Sequence, residues 1–279
     1  MRYQHYILAG ISLLFAVGLF AEESITVERP DPQEIVRRVA ANYQRDIDAA
    51  ADYTFQQRSF TQEFDKNGNV TKTRIRTYET LILFGEQYGK LIAVDDKPLS
   101  EADQKKEDER LSTFFNKRKE MSEEDRAKKR ENAAQKFQRE IADELPHILN
   151  YEIIGEEIID GQPVWVIQGT PRKSYKPKSR TGKLLSKLSG KVWVTKTDDT
   201  WVKLEADFAE DFSVGGLLLK IRKGTRFEVE STRVNDDVWL PRRVLINGNA
   251  RVLWSTMRPY TETTYSQYQK FTSEVKITY

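Results

Sequence analysis

The sequence predicts a mainly β protein with a few helices, of the α+β class. Residues 190–208 form two consecutive runs in which apolar and polar side chains alternate, the pattern of paired strands with one buried face. From Asn150 onward most segments show this strand pattern, whereas helical spacing is confined to residues 31–51 and 100–149. No stretch rich in glycine and proline divides the chain, so we expect residues 22–279 to form one domain.

The clearest strand pair is a hairpin within residues 190–208. With residues 196–200 as its loop, one register puts four aliphatic side chains on a single face and pairs Trp193 with Lys203 on the other. The four are Val192, Val194, Val202 and Leu204, with Val194 opposite Val202 and Val192 opposite Leu204. We predict that these four residues belong to the apolar inner face of the sheet.

A second hairpin that extends this inner face is predicted from the strand pattern of residues 227–234 and 239–247. A two-residue loop at Asp236 and Asp237 pairs Val234 with Trp239. The same register adds Phe227 opposite Ile246 and Val229 opposite Val244 to the inner face, with Glu230 opposite Arg243 outside. It also turns Arg242 inward, where a charged group needs a partner.

The chain begins its folded part with a helix and a short meander. Asp31 followed by Pro32 is typical of a helix start, and an apolar stripe of Ile35, Val39, Tyr43 and Ile47 extends this helix to about residue 51. Residues 53–64, 70–84 and 88–94 follow as three predicted strands, the first two joined at an Asn-Gly turn.

Residues 100–149 predict a highly charged helical insert. Ser100 with Asp103, and Ser122 with Asp125, have the spacing of helix caps. The second helix carries a stripe of Phe137, Ile141 and Leu145 that Pro146 is expected to end. The insert is either a mobile lid over an apolar opening or a solvent-exposed helical segment that merely closes one end of the domain.

Residues 171–190 predict a basic loop between two strands. Its cations are Arg172, Lys173, Lys176, Lys178, Arg180, Lys183 and Lys187, and no acidic residue lies among them. Such a segment can contact anionic lipid headgroups or an acidic protein partner. The alternative is a flexible loop that its lysines keep soluble. A second glycine-containing segment, residues 213–224, is either a bent strand or an apolar flap.

The first residues indicate export. Residues 1–21 combine a weakly positive start, an apolar run too short to span a bilayer and a small residue at the end, which is the pattern of a cleavable signal peptide. We therefore expect a periplasmic protein. The chain has no cysteine, which removes disulfides, thiol nucleophiles and an N-terminal lipid anchor, and its net charge is only +2.

The sequence shows none of the familiar catalytic motifs. Of two histidines, one lies in the signal peptide and the other, His147, lies at a predicted helix end. The adjacent acid pairs Asp198-Asp199 and Asp236-Asp237 lie in predicted turns, where aspartate is common. We expect no metal, no cofactor and no enzyme activity, with a hydrolase built from distant carboxylates as the less favoured alternative. The basic loop lacks interleaved aromatics, so we expect no nucleic-acid partner.

The order of elements and several short motifs resemble the outer-membrane lipoprotein-sorting family (LolA/LolB-like). The matching motifs are Gly155-Glu156-Glu157, Asp160-Gly161-Gln162-Pro163-Val164-Trp165-Val166, Gly190-Lys191-Val192-Trp193-Val194-Thr195-Lys196, Val238-Trp239-Leu240-Pro241 and Tyr265-Ser266-Gln267-Tyr268-Gln269-Lys270-Phe271. The likeness covers residues 31–279. Because the insert is longer and more charged than in the transport proteins, and no single position matches their lid-fastening arginine, the chain resembles a separate branch.

This resemblance implies an unclosed antiparallel β-barrel, or strongly curved sheet, whose opening is covered by helices. It also implies a non-enzymatic carrier for lipid or lipoprotein acyl chains, held on the inner face formed by the eight apolar residues of the two hairpins. An envelope protein-interaction or stress-sensing module with the same fold is the alternative. A carrier requires that the inner face leave room for a guest after the core is filled.

Overall fold

The structure, a computed structural model, describes residues 29–271 except residues 66, 215–218, 236–237 and 253–254. The predicted signal peptide, the glycines at 215 and 216 in the predicted bent strand or flap, and the predicted turn at 236–237 lie outside the described residues. So does the side chain of Phe137.

Five α-helices and one π-helical turn are described. They are α1 Pro32–Ala51, α2 Glu101–Lys119, α3 Glu123–Phe137, the π-helical turn Gln138–Ala142, α4 Leu145–Ile148 and α5 Arg180–Leu185. The predicted start of α1 is confirmed, because the Asp31 side chain accepts a hydrogen bond from the Gln33 backbone amide at 2.9 Å. Both predicted caps of the insert are also confirmed, since Ser100 and Ser122 accept from the amides of Asp103 and Asp125.

Fourteen strands are described, all in antiparallel pairs. They are β1 Tyr53–Phe64, β2 Val70–Leu83, β3 Glu86–Val94, β4 Lys97–Pro98, β5 Leu149–Ile159, β6 Gln162–Pro171, β7 Leu188–Thr195, β8 Trp201–Phe208, β9 Phe212–Val214, β10 Leu219–Ile221, β11 Arg226–Val234, β12 Val238–Asn247, β13 Ala250–Val252 and β14 Ser255–Lys270. The prediction of a mainly β protein with helices is therefore confirmed.

The strands form one sheet that does not close on itself. Its order is β4-β3-β2-β1-β14-β12-β11-β8-β7-β6-β5, so β4 and β5 are its two free edges, while β9, β10 and β13 pair beside this path. The first and last long strands meet at the centre, where β1 pairs with β14 along its whole length. The predicted unclosed antiparallel sheet is confirmed.

The ladder defines an inner face, the one on which α1 packs. Ile35, Val36 and Val39 of α1 form a buried cluster with Ile167 and Val194. Paired residues on neighbouring strands share a face. One inner row therefore follows the register across ten strands. This row is Ile153, Ile167, Val192, Leu204, Val229, Val244, Thr263, Ser59, Arg76 and Val94. The row is apolar from β5 to β12 and polar on β14, β1 and β2.

A β-bulge corrects the predicted register of the first hairpin. Val192 does pair with Leu204, and Trp193 with Lys203, but Val194 pairs with Trp201 rather than with Val202. The extra residue turns Val202 to the opposite face, where it is fully buried in a second cluster with Val164 and Trp193. The prediction that Val202 faces inward is therefore wrong, and Trp201 takes that position.

The second hairpin keeps its predicted register up to Glu230. Phe227 pairs with Ile246, Val229 with Val244 and Glu230 with Arg243, as predicted. A bulge after Glu230 then shifts the pairing, so Val234 lies opposite Val238 instead of Trp239. Arg242, predicted to point inward, is exposed and forms an ion pair with Glu230 at 2.9 Å. The bulge thus removes the problem of a buried, unpaired charge.

The charged insert packs on β3. The ring centroids of Phe114 on α2 and Tyr88 on β3 are 4.9 Å apart, and Arg118 forms an ion pair with Glu86 at 2.7 Å. The second predicted helix does not run on to Pro146, because α3 ends at Phe137 and a π-helical turn and the short α4 follow. No helix among the described residues is both long and apolar enough to cross a membrane.

Candidate binding cavity

An apolar cavity of about 290 Å³ lies between α1 and the inner face of β5 to β8. Its floor consists of Ile167, Val192, Val194, Trp201, Leu204 and Ala206. Alternation along each strand brings these side chains to one face, and the bulge brings Trp201 among them. Because such a lining offers water few hydrogen-bond partners, the cavity favours an apolar guest over solvent.

At two positions the floor of the cavity has no side chain, because the residues are glycines. Gly169 and Gly190 pair with each other on β6 and β7, and both line the cavity. A Cβ atom on Gly190 would lie 2.1 Å from the carbonyl oxygen of Glu205 and 2.6 Å from Cα of Ala206. Only glycine allows the backbones of β7 and β8 to approach so closely.

The roof of the cavity is one side of α1. Val36, Val39, Ala40 and Tyr43 line it and follow helical spacing. Val39 and Tyr43 belong to the stripe predicted from the sequence, but the last residue of that stripe, Ile47, is 41% exposed. The first three turns of α1 therefore cover the cavity.

An arginine fastens α1 to the turn between β7 and β8. Nε and Nη2 of Arg38 donate to the two carboxylate oxygens of Asp199 at 2.7 and 3.1 Å. Asn42, one turn further along α1, donates to the backbone carbonyl of Asp198 at 3.2 Å. The acid pair that the sequence assigned only to a turn therefore also holds the roof.

The walls come from the end of the insert and from the basic segment. They are formed by Ile141, Leu145, Leu149, Tyr151, Leu185 and Leu188. Of the predicted insert stripe, Ile141 and Leu145 reach the cavity. Tyr151 donates its hydroxyl proton to the backbone carbonyl of Leu145 at 2.6 Å, and burial raises the pKa of this phenol. The one charged residue among the described lining is Lys191 of β7, whose side chain is exposed.

A buried carboxylate connects these walls. Glu144, 4% exposed, accepts hydrogen bonds from the backbone amides of Lys178 and Ser179 at 2.9 and 2.8 Å. Burial alone raises the pKa of Glu144, but the hydrogen bonds from Ser179 and Lys178 outweigh burial and lower it. A Cβ on Gly182 would lie 2.6 Å from Oε2 of Glu144, so glycine leaves space for the carboxylate. The contact fixes the start of α5 against the end of the insert.

The eight predicted inner-face residues divide into three groups. Val192, Val194 and Leu204 line the cavity. Four continue the same face on β11 and β12 beyond the cavity lining, namely Phe227, Val229, Val244 and Ile246. Val202 lies on the opposite face.

The predicted basic loop contains the helix α5, which corrects its assignment as loop throughout. Five of its cations are exposed and form no ion pair with a described residue: Lys173, Lys176, Lys178, Arg180 and Lys183. The other two are half-buried and engaged. Arg172 donates to Asn150 and to Gln33, and Lys187 pairs with Glu210 at 2.6 Å.

The covering of the opening by α1 was predicted, but sequence reasoning missed the two floor glycines and Trp201. The apolar stripe of α1 was visible, but the strands on which it packs were not, because Ile167 and Val194 lie far from α1 in the sequence. Within the described residues, no group of three or more histidines or carboxylates is arranged to hold a metal ion.

No protein-family model and no curated protein matches this sequence. Solved structures do resemble it. A DUF1329 family protein from Desulfovibrio piger is 14% identical over 89% of this chain and 96% of its own, with a TM-score of 0.31. An outer membrane lipoprotein-sorting protein domain from Vibrio parahaemolyticus is 14% identical over 87% and 95%, with a TM-score of 0.32.

A LolA superfamily protein from Nitrosomonas europaea is 12% identical over 88% of this chain and 96% of its own, with a TM-score of 0.27. The lipoprotein-sorting family that the sequence motifs resemble is thus found among the similar structures.

Proposed function

We propose that this protein is a non-enzymatic periplasmic carrier that holds the acyl chain of a lipid or lipoprotein in the cavity under α1. The supporting observation is the cavity itself, about 290 Å³ of space whose lining, apart from two glycines and Lys191, consists of aliphatic and aromatic side chains. Burial of each CH₂ group contributes about 0.8 kcal/mol, so a tail of several methylenes gains several kcal/mol there. An acyl tail has no hydrogen-bonding groups, so none of its groups is left unpaired between α1 and the sheet.

The contacts that hold α1 on the sheet determine how a tail enters the cavity. The roof is held to the sheet by the Arg38–Asp199 pair, whose side chains are 39% and 24% exposed. Partly exposed ion pairs are weak, typically about 1 kcal/mol or less, so this pair adds little to the cost of opening. Most of that cost is exposure of the buried face of α1, which packs on Ile167 and Val194. We propose that a tail enters as α1 lifts away from the turn between β7 and β8.

A cavity-filling variant tests the carrier. Val192→Phe adds a ring inside the cavity, whereas Ile154→Phe adds one at a position on β5 that is 45% exposed. We expect Val192→Phe to weaken binding of a fluorescent fatty acid by about tenfold or more, since each displaced methylene forfeits burial. Ile154→Phe should bind as the wild type does. Equal binding by both variants, or native mass spectrometry of envelope-purified protein that finds no lipid, would refute the proposal.

We also propose that the basic segment meets an anionic membrane surface. Its five exposed cations lie on the segment whose Leu185 and Leu188 line the cavity wall. Each Lys or Arg near such a surface contributes about 1 kcal/mol.

Replacing the five by glutamine should abolish sedimentation with anionic vesicles and leave fatty-acid binding intact. The matched control replaces five exposed lysines of the insert: Lys105, Lys106, Lys117, Lys119 and Lys128. Capture of an acidic protein in place of vesicles would contradict this proposal and favour the envelope-interaction alternative.

A further inference from the structure

A second pocket, of about 390 Å³, lies on the polar half of the inner face, away from the apolar cavity. Gln57, Ser59 and Thr61 of β1 and Arg74, Arg76 and Tyr78 of β2 line it, with Gly89 of β3 and Arg110 of α2 at its edge. Register explains the cluster, because Gln57 pairs with Tyr78, Ser59 with Arg76 and Thr61 with Arg74. The six strand side chains therefore project from the same face.

The arginines in this pocket differ in how they are engaged. Arg110 is paired with Glu107 at 2.8 Å and donates to the Gly89 carbonyl, so it belongs to the contact that seats α2. Arg74 and Arg76 form no ion pair with a described residue. None of the described residues that line the pocket is acidic. Glu63, the next inward position on β1, lies opposite Lys72 and outside the lining.

Two unneutralised guanidinium groups, two residues apart on one strand face, repel one another. The pocket around them is rich in hydrogen-bond donors, since Ser59, Thr61 and Tyr78 carry hydroxyls and Gln57 an amide. Planar guanidinium groups bind phosphate oxygens in a bidentate manner, and hydroxyl donors complete such a site.

We propose that this pocket is an oxyanion site that takes a phosphate group. Arg74 and Arg76 neutralise the dianion, and the Ser59 and Thr61 hydroxyls donate to its remaining oxygens. Two cations and several donors suit a dianion with three terminal oxygens better than a single carboxylate. The volume exceeds that of phosphate alone, so the group can carry a substituent. This site is independent of the carrier proposal, because it shares no lining residue with the apolar cavity.

Calorimetric titration of the whole protein with inorganic phosphate, acetate and water-soluble dihexanoyl phosphatidic acid tests this site. We expect phosphate to bind and acetate to bind at least about tenfold more weakly. Arg74→Gln with Arg76→Gln should weaken phosphate binding by about tenfold or more, because it removes the charged hydrogen-bond donors. Arg58→Gln, which removes one positive charge from the opposite face of β1, should leave phosphate binding unchanged. Arg74→Lys retains the charge and should give an intermediate loss.

The two sources of phosphate are distinguished in the same titration. Binding of the short-chain lipid more tightly than phosphate, lost in the Arg74→Gln with Arg76→Gln variant, supports a lipid headgroup in this pocket, and equal binding supports a free phosphate. In the wild type, amide resonances of residues 57–61 and 74–78 should shift on titration. Undetectable phosphate binding, equal acetate binding or unaltered binding by a double variant with a wild-type melting curve would each overturn the assignment.

Discussion

On β5 to β8 the inner face is apolar and lies under α1, whereas on β1 and β2 the same face carries hydroxyl groups and two arginines. Backbone pairing is continuous between them, since the row through Val192, Val244 and Ser59 crosses from one half to the other. The comparison shows that register decides which residues share a face, while their chemistry decides what that face can hold. One continuous sheet face thus offers both an apolar cavity and a polar pocket.

The largest difference between the halves should appear at the floor glycines. In Gly190→Ala the new Cβ would overlap the backbone of β8, at 2.1 Å from the Glu205 oxygen, so we expect a loss of about 4 kcal/mol or more in unfolding free energy. Gly89→Ala on β3, at the edge of the polar pocket, brings a Cβ no closer than 3.9 Å to Tyr78 and should change stability by less than about 1 kcal/mol. Urea denaturation measures both. Comparable losses would show that close strand approach does not set the floor.

Truncation within each half gives the next largest effect. Ile167 is fully buried on the apolar half. Changing it to alanine should lower the unfolding free energy by about 2–5 kcal/mol, because the change removes apolar burial and enlarges a cavity. Thr61→Ala on the polar half should cost less than about 1 kcal/mol, since that side chain is half-buried and its hydroxyl contact with Thr261 is long, at 3.4 Å. Chemical denaturation should rank them in this order, and the reverse ranking would contradict the comparison.

Each half also has a buried carboxylate that seats a helix. Glu144 holds α5 on the apolar side, and Glu107, which accepts from Tyr88 and Arg110, holds α2 on the polar side. We expect Glu144→Gln or Glu107→Gln to cost about 1–3 kcal/mol at neutral pH through loss of charged hydrogen bonds.

The pH dependence of these two contributions has a defined sign. Burial raises both pKa values, but hydrogen bonds to the ionised forms outweigh it and leave both below the ordinary value of 4.5. The stabilisation is therefore fully present above that value and is lost as pH falls through the folded-state pKa. Unfolding free energies between about pH 6 and pH 3 should fall less steeply in each variant than in the wild type. An unchanged slope would contradict the assignment.

The smallest effect concerns the fastening of α1. A double-mutant cycle on Arg38 and Asp199 should give a coupling of about 0.5–1 kcal/mol, because the pair is bidentate but partly exposed. The neighbouring pair Arg37 and Glu34 lies within α1 and serves as the control. Hydrogen exchange in α1 should accelerate in Arg38→Ala but not in Arg37→Ala. Equal acceleration would show that the arginine does not hold the roof.

Much of the fold could be predicted because local periodicity determines it. The alternation in residues 190–208 and the cap at Asp31 specify β7, β8 and α1 directly, and the pairing of Val192 with Leu204 follows. The bulge at Val194 could not be read from alternation, because one extra residue leaves the apolar pattern of each strand intact. For this reason Val202 was assigned to the wrong face.

The candidate sites depended on contacts that sequence spacing does not encode. Pairing of β1 with β14 joins residues about 200 positions apart, and only this pairing continues the inner face from Val244 through Thr263 to Ser59. The cavity likewise needs α1 and α5 brought onto one end of the sheet. Sequence identified several lining residues, but the space between them is a property of the folded chain.

The bulge between β7 and β8 also places a fluorescent side chain, that of Trp201, at the cavity. By turning Trp201 inward, it places an indole in the cavity lining with its ring centroid 6.5 Å from that of Tyr43 on α1. Entry of a guest, or lifting of the helix, changes the polarity around that indole. The chain has five tryptophans, so the part of the intrinsic fluorescence change that Trp201→Phe abolishes follows occupancy of the unlabelled protein.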